Sequence, residues 1–385
     1  MASRSAPIAH INRIATAVPR HEVHRKFLDF AESRLKPREV TLFRRMAQRS
    51  GIAHRYSCLG PADDPDTVQP EAFYRLGAFP STAERMAVFE RQAPRLAETA
   101  VERLALGPAR KRISHLIVAT CTGFSAPGLD LELTERFGLN PSVERTIVGF
   151  MGCYAAINAL KLARHIVRSE SDARVLVVNL ELCTLHLKEH GNLEQILSFM
   201  LFADGCSAAL VTSEPQGIAL DRFHAAFVPD TSELITWNIR DFGFDMVLSG
   251  EVPGAIQHAP GDCASEILHG TPASAIDLWA IHPGGRTVLD AVEQAFQLPA
   301  EKLAVSREVL RRYGNMSSAT VMFVLEAMMR QVQAGQRGCA MGFGPGMVAE
   351  TMLFHAVSAM ADASRRDGVI KIARRAKRIP EQVEG

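Results

Sequence analysis

Apolar and polar positions fall into two recurring patterns along the chain. Residues 115–120, His-Leu-Ile-Val-Ala-Thr, and 175–180, Val-Leu-Val-Val-Asn-Leu, are continuous apolar runs of strand length. Runs without alternation belong to strands covered on both faces of a sheet. Residues 8–17 predict another strand, ended by Val18-Pro19, and 207–212 one more, after a turn at 202–206. Helical spacing runs over 24–50, through Phe27, Leu28, Phe30, Ala31, Leu42, Phe43 and Met46, and again over 83–104. Between them, Gly60, Pro61, Pro65, Pro70 and Pro80 among acids predict a loop over 58–82. Pro127-Gly128 leads into a helix ending near 137–139. Over 148–160, Cys153 stands between a Gly-containing apolar run and a helical pattern. Ala155, Ala156, Ala159 and Ala163 make that helix thin enough to sit deep in a protein.

The second half repeats the first. Residues 276–281 predict a strand, followed by Pro283-Gly284 and a helix, and Gly314 to Ala319 enter a further helix running to Met329. A strand over 339–343 then matches the one over 175–180. A β-α-β-α-β unit used twice predicts an α/β fold with a mixed sheet in each half and helices on the faces. The halves are 1–215 and 216–360, and 361–385 is a basic tail expected to be solvated or disordered. The duplication places Cys153 and Asn315 at equivalent helix N-termini, facing one central site.

Composition narrows the class. The chain has 385 residues, 47% hydrophobic and 22% charged, as expected of a globular protein with a substantial core. A net charge of +1 gives no support for a nucleic-acid partner. Seven scattered cysteines, an odd number without a CxxC pair, argue against a disulfide framework and against a zinc site. They point to a reducing, cytoplasmic compartment. The N-terminus lacks the apolar core of a signal peptide. The most apolar run, 146–160, is interrupted by Gly149, Gly152 and Asn158 and is too short to span a bilayer.

A cysteine at the first turn of a helix faces unpaired N–H groups and the positive end of the dipole, which favour thiolate. The alternative is a buried core cysteine. Two further residues favour chemistry: His282, ending a strand in Ile281-His282-Pro283-Gly284-Gly285, and Asn315, in Gly314-Asn315-Met316-Ser317-Ser318-Ala319. Acyl transfer followed by carbon–carbon bond formation uses all three. Cys153 takes an acyl group from a thioester, helped by an ion pair with protonated His282. His282 and the Asn315 amide then form an oxyanion hole for the enolate left when a malonyl group loses CO2. No metal or redox cofactor is required. Arg44, Arg45 and Arg49, with Arg55 nearby, are either a solvated face or a phosphate clamp.

On these motifs, together with Gly152-Cys153-Tyr154-Ala155-Ala156 and Gly342-Phe343-Gly344-Pro345-Gly346, the chain resembles the chalcone synthase-like type III polyketide synthases, particularly their bacterial members. The match runs from about residue 8 to residue 357. The resemblance implies the duplicated, five-layered αβαβα thiolase fold, a homodimer without membrane insertion, and acyl-CoA and malonyl-CoA as substrates. It makes Cys153 the nucleophile, His282 and Asn315 the decarboxylation pair and Phe202 a gatekeeper. Arg45 and Arg49 match CoA-phosphate positions, with Gly284 and Gly285 beside them, while Leu42 replaces a third basic residue. Pocket positions fall on Cys121, Thr122, Cys183, His186, Ser198, Trp237, Met246, Ser317, Phe343 and Pro345. Met246 replaces a second gatekeeper phenylalanine, Trp237 replaces a glycine, and Cys183 matches bacterial members with a tunnel for long acyl chains. These departures imply an aliphatic starter and an alkyl pyrone, resorcinol or phloroglucinol product. The rival readings are a ketoacyl-carrier-protein synthase III and a catalytically dead binding homologue.

Overall fold

The computed structural model describes residues 6–61, 68–189 and 193–359, the last span without the side chains of 258–263. The basic tail 361–385 lies outside the described residues. Strand β1 (His10–Ala17) opens the chain, followed by the two-residue β2 (His21–Glu22), helices α1 (His24–Arg34) and α2 (Pro37–Arg49), and β3 (Tyr56–Ser57). Next come α3 (Pro70–Phe73), α4 (Thr82–Arg103), β4 (His115–Thr120), α5 (Leu129–Arg136), β5 (Glu144–Gly149), α6 (Ala155–Ser169) and β6 (Val175–Leu182). Helix α7 (Leu193–Leu201), β7 (Asp204–Thr212), β8 (Ile218–Phe227) and the hairpin β9 (Ile235–Arg240) and β10 (Gly243–Leu248) follow. The chain continues through α8 (Val252–Ile267), β11 (Leu278–Ile281), α9 (Arg286–Ala295), α10 (Ala304–Tyr313), α11 (Ala319–Met329), β12 (Arg337–Gly344) and β13 (Val348–Ala356).

Nine strands form one sheet in the order β11-β12-β13-β8-β1-β7-β6-β4-β5. Within the sheet, the described strands of the two halves meet at β1 and β8, through His10–Ala219 and Ile11–Ile218. Helix α6 packs on β4 to β7 and also reaches β12 and β13, while α11 touches β1, β7, β11 and β12. On the outside, α4 and α5 cover the first half and α8, α9 and α10 the second. The layering is αβαβα.

Residue choice explains the two central helices. Ala155, Ala156, Ala159 and Ala163 are fully buried and let the sheet halves close on α6. In α11, nine of eleven residues are buried, including Val321, Phe323, Val324 and Leu325. Each such aliphatic or aromatic side chain contributes about 1.5–3 kcal/mol. Helix α2 is the opposite case, burying only Phe43.

Several expectations change. The helical stretch 24–50 breaks at Leu35-Lys36, because Pro37 pushes the preceding Lys36 into an extended conformation (ψ 148°). The turn at 202–206 is shorter, since β7 already begins at Asp204. The repeat is incomplete: a 3-10 turn at Ala300–Leu303 and then α10 occupy the place of a second copy of β5. Pro299, which lacks a ladder donor, precedes them. The pairing of Cys153 and Asn315 at equivalent helix ends is also inexact. Cys153 lies on a 3-10 turn leading into α6, and Asn315 lies in an extended segment ahead of α11 that bridges Phe202. Among the described residues no helix is long and apolar enough to cross a membrane. The described cysteines are all unpaired.

Candidate active site

The turn that carries Cys153 is held from behind by the 342–346 motif. Gly152 has φ +74°, and a Cβ there would lie 2.2 Å from Cδ of Pro345, so glycine is required twice over. A Cβ at Gly344 would lie 2.7 Å from the Tyr154 ring and 3.3 Å from the Cys153 nitrogen. The Tyr154 hydroxyl donates to the Pro345 carbonyl at 3.2 Å, and the Gly152 N–H donates to Sγ of Cys121 at 3.0 Å. Pro345 and Cys121 thus shape the backbone of Cys153. Phe343 is buried in β12 beside them.

His282 follows β11, its N–H donating to the Met341 carbonyl at 2.7 Å. Its imidazole is buried with neither ring nitrogen partnered. Asn315 donates from Nδ2 to the Gly284 carbonyl at 3.1 Å and accepts at Oδ1 from the Ser317 N–H at 2.9 Å. A Cβ at Gly284 would lie 3.7 Å from the His282 ring, so the residue that receives the Asn315 amide also borders the imidazole. Gly285 begins α9.

Burial pushes the Cys153 thiol up to about 12, against the Ser317 hydroxyl and Asn315 amide, which face the sulfur and favour its thiolate. The residue itself is only half-buried, and the direction is what matters here: the resting sulfur is a thiol. Burial alone pushes His282 down to about 3. Burial thus disfavours the charged form of each side chain taken alone. A dry pocket disfavours both charges when neither is hydrogen-bonded to the other. The groups that favour the thiolate include two side chains from the second half, Ser317 and Asn315, beside the backbone of Cys153 itself.

Glu181 escaped the sequence reading. Fully buried in β6, it accepts from the Cys121 N–H (2.9 Å), the Thr122 hydroxyl (2.9 Å) and the Ser318 hydroxyl (2.6 Å). It ties the turn beside Cys153 to the Asn315 loop. Burial raises its carboxyl to about 7. An acid inside the run Val175–Leu182 was the available signal, because acids are almost never fully buried without partners.

The pocket walls differ in kind. Thr122 is engaged by Glu181 and the Leu182 N–H, and its carbonyl accepts from Nε2 of His186 at 2.8 Å. Nδ1 of His186 accepts from the Phe244 N–H at 3.2 Å, which fixes the tautomer. Burial pushes this imidazole down to about 3. His186 stacks on Phe244 at 4.1 Å, and Trp237 meets both rings edge-on. Trp237 donates to the Cys121 carbonyl at 2.8 Å and pairs across the hairpin with Met246. These groups form a solid aromatic wall. Ser198, by contrast, turns its hydroxyl back to the Glu194 carbonyl.

Phe202 itself borders an apolar cavity of about 500 Å³, walled also by Cys183, Phe27, Phe30, Tyr74, Leu187 and Phe199. Burial, followed by the charges of Glu181 and Asp204, raises the Cys183 thiol.

The basic cluster divides. Arg45 and Arg49 are exposed on α2, with Arg286 donating to the Arg49 carbonyl. Arg44 instead forms a two-pronged pair with Glu32. Arg55 is buried, beyond the reach of a phosphate in solvent.

A cysteine turn on one half and a histidine and an asparagine on the other, across a five-layer duplicated α/β fold, define a thiolase-like enzyme. Residues 1–215 match the family described as "Chalcone and stilbene synthases, N-terminal domain", and 220–358 the corresponding C-terminal domain. The chain belongs to this family, the type III polyketide synthases, which are acyltransferases. It is 34% identical over 363 residues to the alpha-pyrone synthesis polyketide synthase-like Pks18 of Mycobacterium tuberculosis, covering 90% of this chain and 91% of that protein. It is 33% identical over 338 residues to bisdemethoxycurcumin synthase of Oryza sativa subsp. japonica, covering 82% and 83%. The crystal structure of PKS-I from the brown alga Ectocarpus siliculosus superposes with a TM-score of 0.81 at 29% identity, covering 92% of this chain and all of that one.

Proposed function

We propose that the enzyme loads an aliphatic acyl group from acyl-CoA onto Cys153 and extends it with malonyl-CoA. The product then closes to an alkyl pyrone or to a resorcinol- or phloroglucinol-type ring. The observation carrying the choice of starter is the contrast between the aromatic cluster around Trp237 and the apolar cavity that Phe202 borders. The aromatic wall of Trp237, His186 and Phe244 leaves little room for a bulky ring. The 500 Å³ cavity beside Cys183 is apolar and suits a flexible chain. The similarity to a protein named for alpha-pyrone synthesis supports the pyrone outcome.

In this reading the Cys153 thiol passes its proton to His282 as it attacks the thioester, and the CoA thiolate leaves with that proton. Malonyl-CoA follows. Breaking its carboxyl C–C bond releases CO2 and leaves the electron pair as an enolate. The second N–H of the Asn315 amide, the one not on Gly284, and His282 stabilise the enolate oxygen. The enolate carbon attacks acyl-Cys153, collapse expels the Cys153 thiolate and leaves the extended chain on CoA, and a proton from solvent restores the thiol, which the extended thioester can reload. The electron pairs move within the thioesters, so we expect no cofactor. Arg45 and Arg49 take the CoA phosphates at the mouth, beside Gly284 and Gly285. A second copy is expected along the edge strand β5 and its neighbouring loops, where Ile147 of β5, Met151 after it and Phe124 of the β4–α5 loop are 41%, 36% and 38% exposed. CoA thioesters and free cysteines suit the cytoplasm.

The test is mass spectrometry of products from malonyl-CoA and starters from acetyl- to palmitoyl-CoA. Cyclic products peaking at one aliphatic chain length are expected. A single β-ketoacyl product, or a preference for aromatic starters, would overturn the proposal.

A further inference from the structure

Arg55 is among the largest fully buried side chains of the protein. Its Nε donates to Nδ1 of His24 at 3.0 Å, and its Nη1 donates to the carbonyls of Phe199 at 3.1 Å and Phe202 at 2.6 Å. Those carbonyls lie at the C-terminal end of α7, where helical partners run out and a cation is favoured. The guanidinium sits 4.5 Å over the ring of Phe27. Its stem packs on Gly314, where a Cβ would lie 2.8 Å from Cγ of Arg55 at a φ of +69°.

The two carbonyls held by Arg55 flank Leu201, whose own carbonyl receives the Asn315 segment. The Asn315 N–H donates to the Leu201 carbonyl and the Ala203 N–H donates to the Asn315 carbonyl, each at 2.8 Å. One side chain therefore contacts the segment on both sides of the site: Phe202 through its carbonyl and Asn315 through Gly314. Arg55 also shares the wall of the apolar cavity with Phe202.

We propose that Arg55 is a positioning residue, holding the Phe199–Phe202 backbone so that Phe202 and Asn315 keep the register that extender decarboxylation requires. This rests on the decarboxylation role assigned to Asn315 above. The backbone turn of Cys153 is held by a different set of contacts, from Cys121 and Pro345, so acyl loading should depend on Arg55 far less than decarboxylation does.

The experiment compares full-length wild type with Arg55→Met, Arg55→Lys and His24→Leu. The last removes the acceptor of Nε and leaves Arg55 in place. Thermal melts establish folding. Loading is read as the mass gain of Cys153 with acyl-CoA, and decarboxylation as CO2 release from malonyl-CoA. Expected for Arg55→Met is a fall of about 100-fold in kcat for decarboxylation, the scale of a misplaced catalytic group. KM for malonyl-CoA and the extent of loading should stay within about threefold, and Arg55→Lys should recover part of kcat. If Arg55→Met fails to fold, the same split between decarboxylation and loading is read in Arg55→Lys and His24→Leu. Loading and decarboxylation falling in parallel, or decarboxylation unchanged in a folded variant, would overturn the proposal. A wild type that loads but releases no CO2 would instead overturn the decarboxylation reading beneath it.

Discussion

Replacing Glu181 by glutamine should change the pH dependence of stability in a direction fixed by the structure. The carboxyl is fully buried and accepts three hydrogen bonds, and burial raises it from 4.5 to about 7. The native state therefore keeps a proton that the unfolded chain releases above pH 4.5. Stability from this group is complete below the unfolded value and is lost as pH rises through the native one. At about 1.36 kcal/mol per pH unit, the loss amounts to roughly 3 kcal/mol by pH 8. Glutamine carries no charge at any pH, but its NH2 cannot accept a bond from Cys121, Thr122 or Ser318. Leaving such a donor unmatched costs about 1–3 kcal/mol. Glu181→Gln should thus be less stable than wild type at pH 5 and regain most of that deficit by pH 8. Asp204, a second buried acid raised by burial to about 6, is present in both proteins and cancels in the difference. Unfolding midpoints of the two proteins from pH 5 to 8 provide the assay. A stability difference that does not change with pH would refute the argument that a raised carboxyl joins the two halves.

Asn315→Ala should lower malonyl-CoA decarboxylation about 100-fold while leaving loading of Cys153 intact, as expected for the loss of one oxyanion donor; CO2 release and intact mass measure the two. Trp237→Gly removes the bond to Cys121 and the contacts with His186 and Phe244. It should cost about 3 kcal/mol of stability and shift products toward longer or bulkier species; a melt and a product profile check both. Removing the exposed guanidiniums with Arg45→Ala and Arg49→Ala together should raise KM for CoA thioesters about tenfold, less at high salt, with kcat nearly unchanged. Steady-state kinetics at two ionic strengths measures it.

What the sequence made legible was backbone demand. Gly152 and Gly344 sit where a Cβ would strike Pro345 or Tyr154, and such positions announce themselves as glycines in motifs. The apolar runs that became β4 and β6 and the alanines of α6 likewise follow from what a sheet covered on both faces requires. Hairpin β9–β10 was legible but went unread: Ile-Thr-Trp-Asn-Ile-Arg alternates apolar and polar positions, the period of a half-exposed strand. Charge state was harder. Whether Cys153 is thiol or thiolate depends on Ser317, Asn315 and how tightly the pocket closes, and all three are decided by tertiary packing. The arginines make the same point at one remove. Arg45 and Arg55 are alike in sequence, yet one is exposed on α2 and the other holds Phe202 from within. A charge standing in an apolar neighbourhood marks a residue that must find partners in the fold. Glu181 met that condition visibly, inside a strand. Arg55 met it only once α1 and α7 had closed over it.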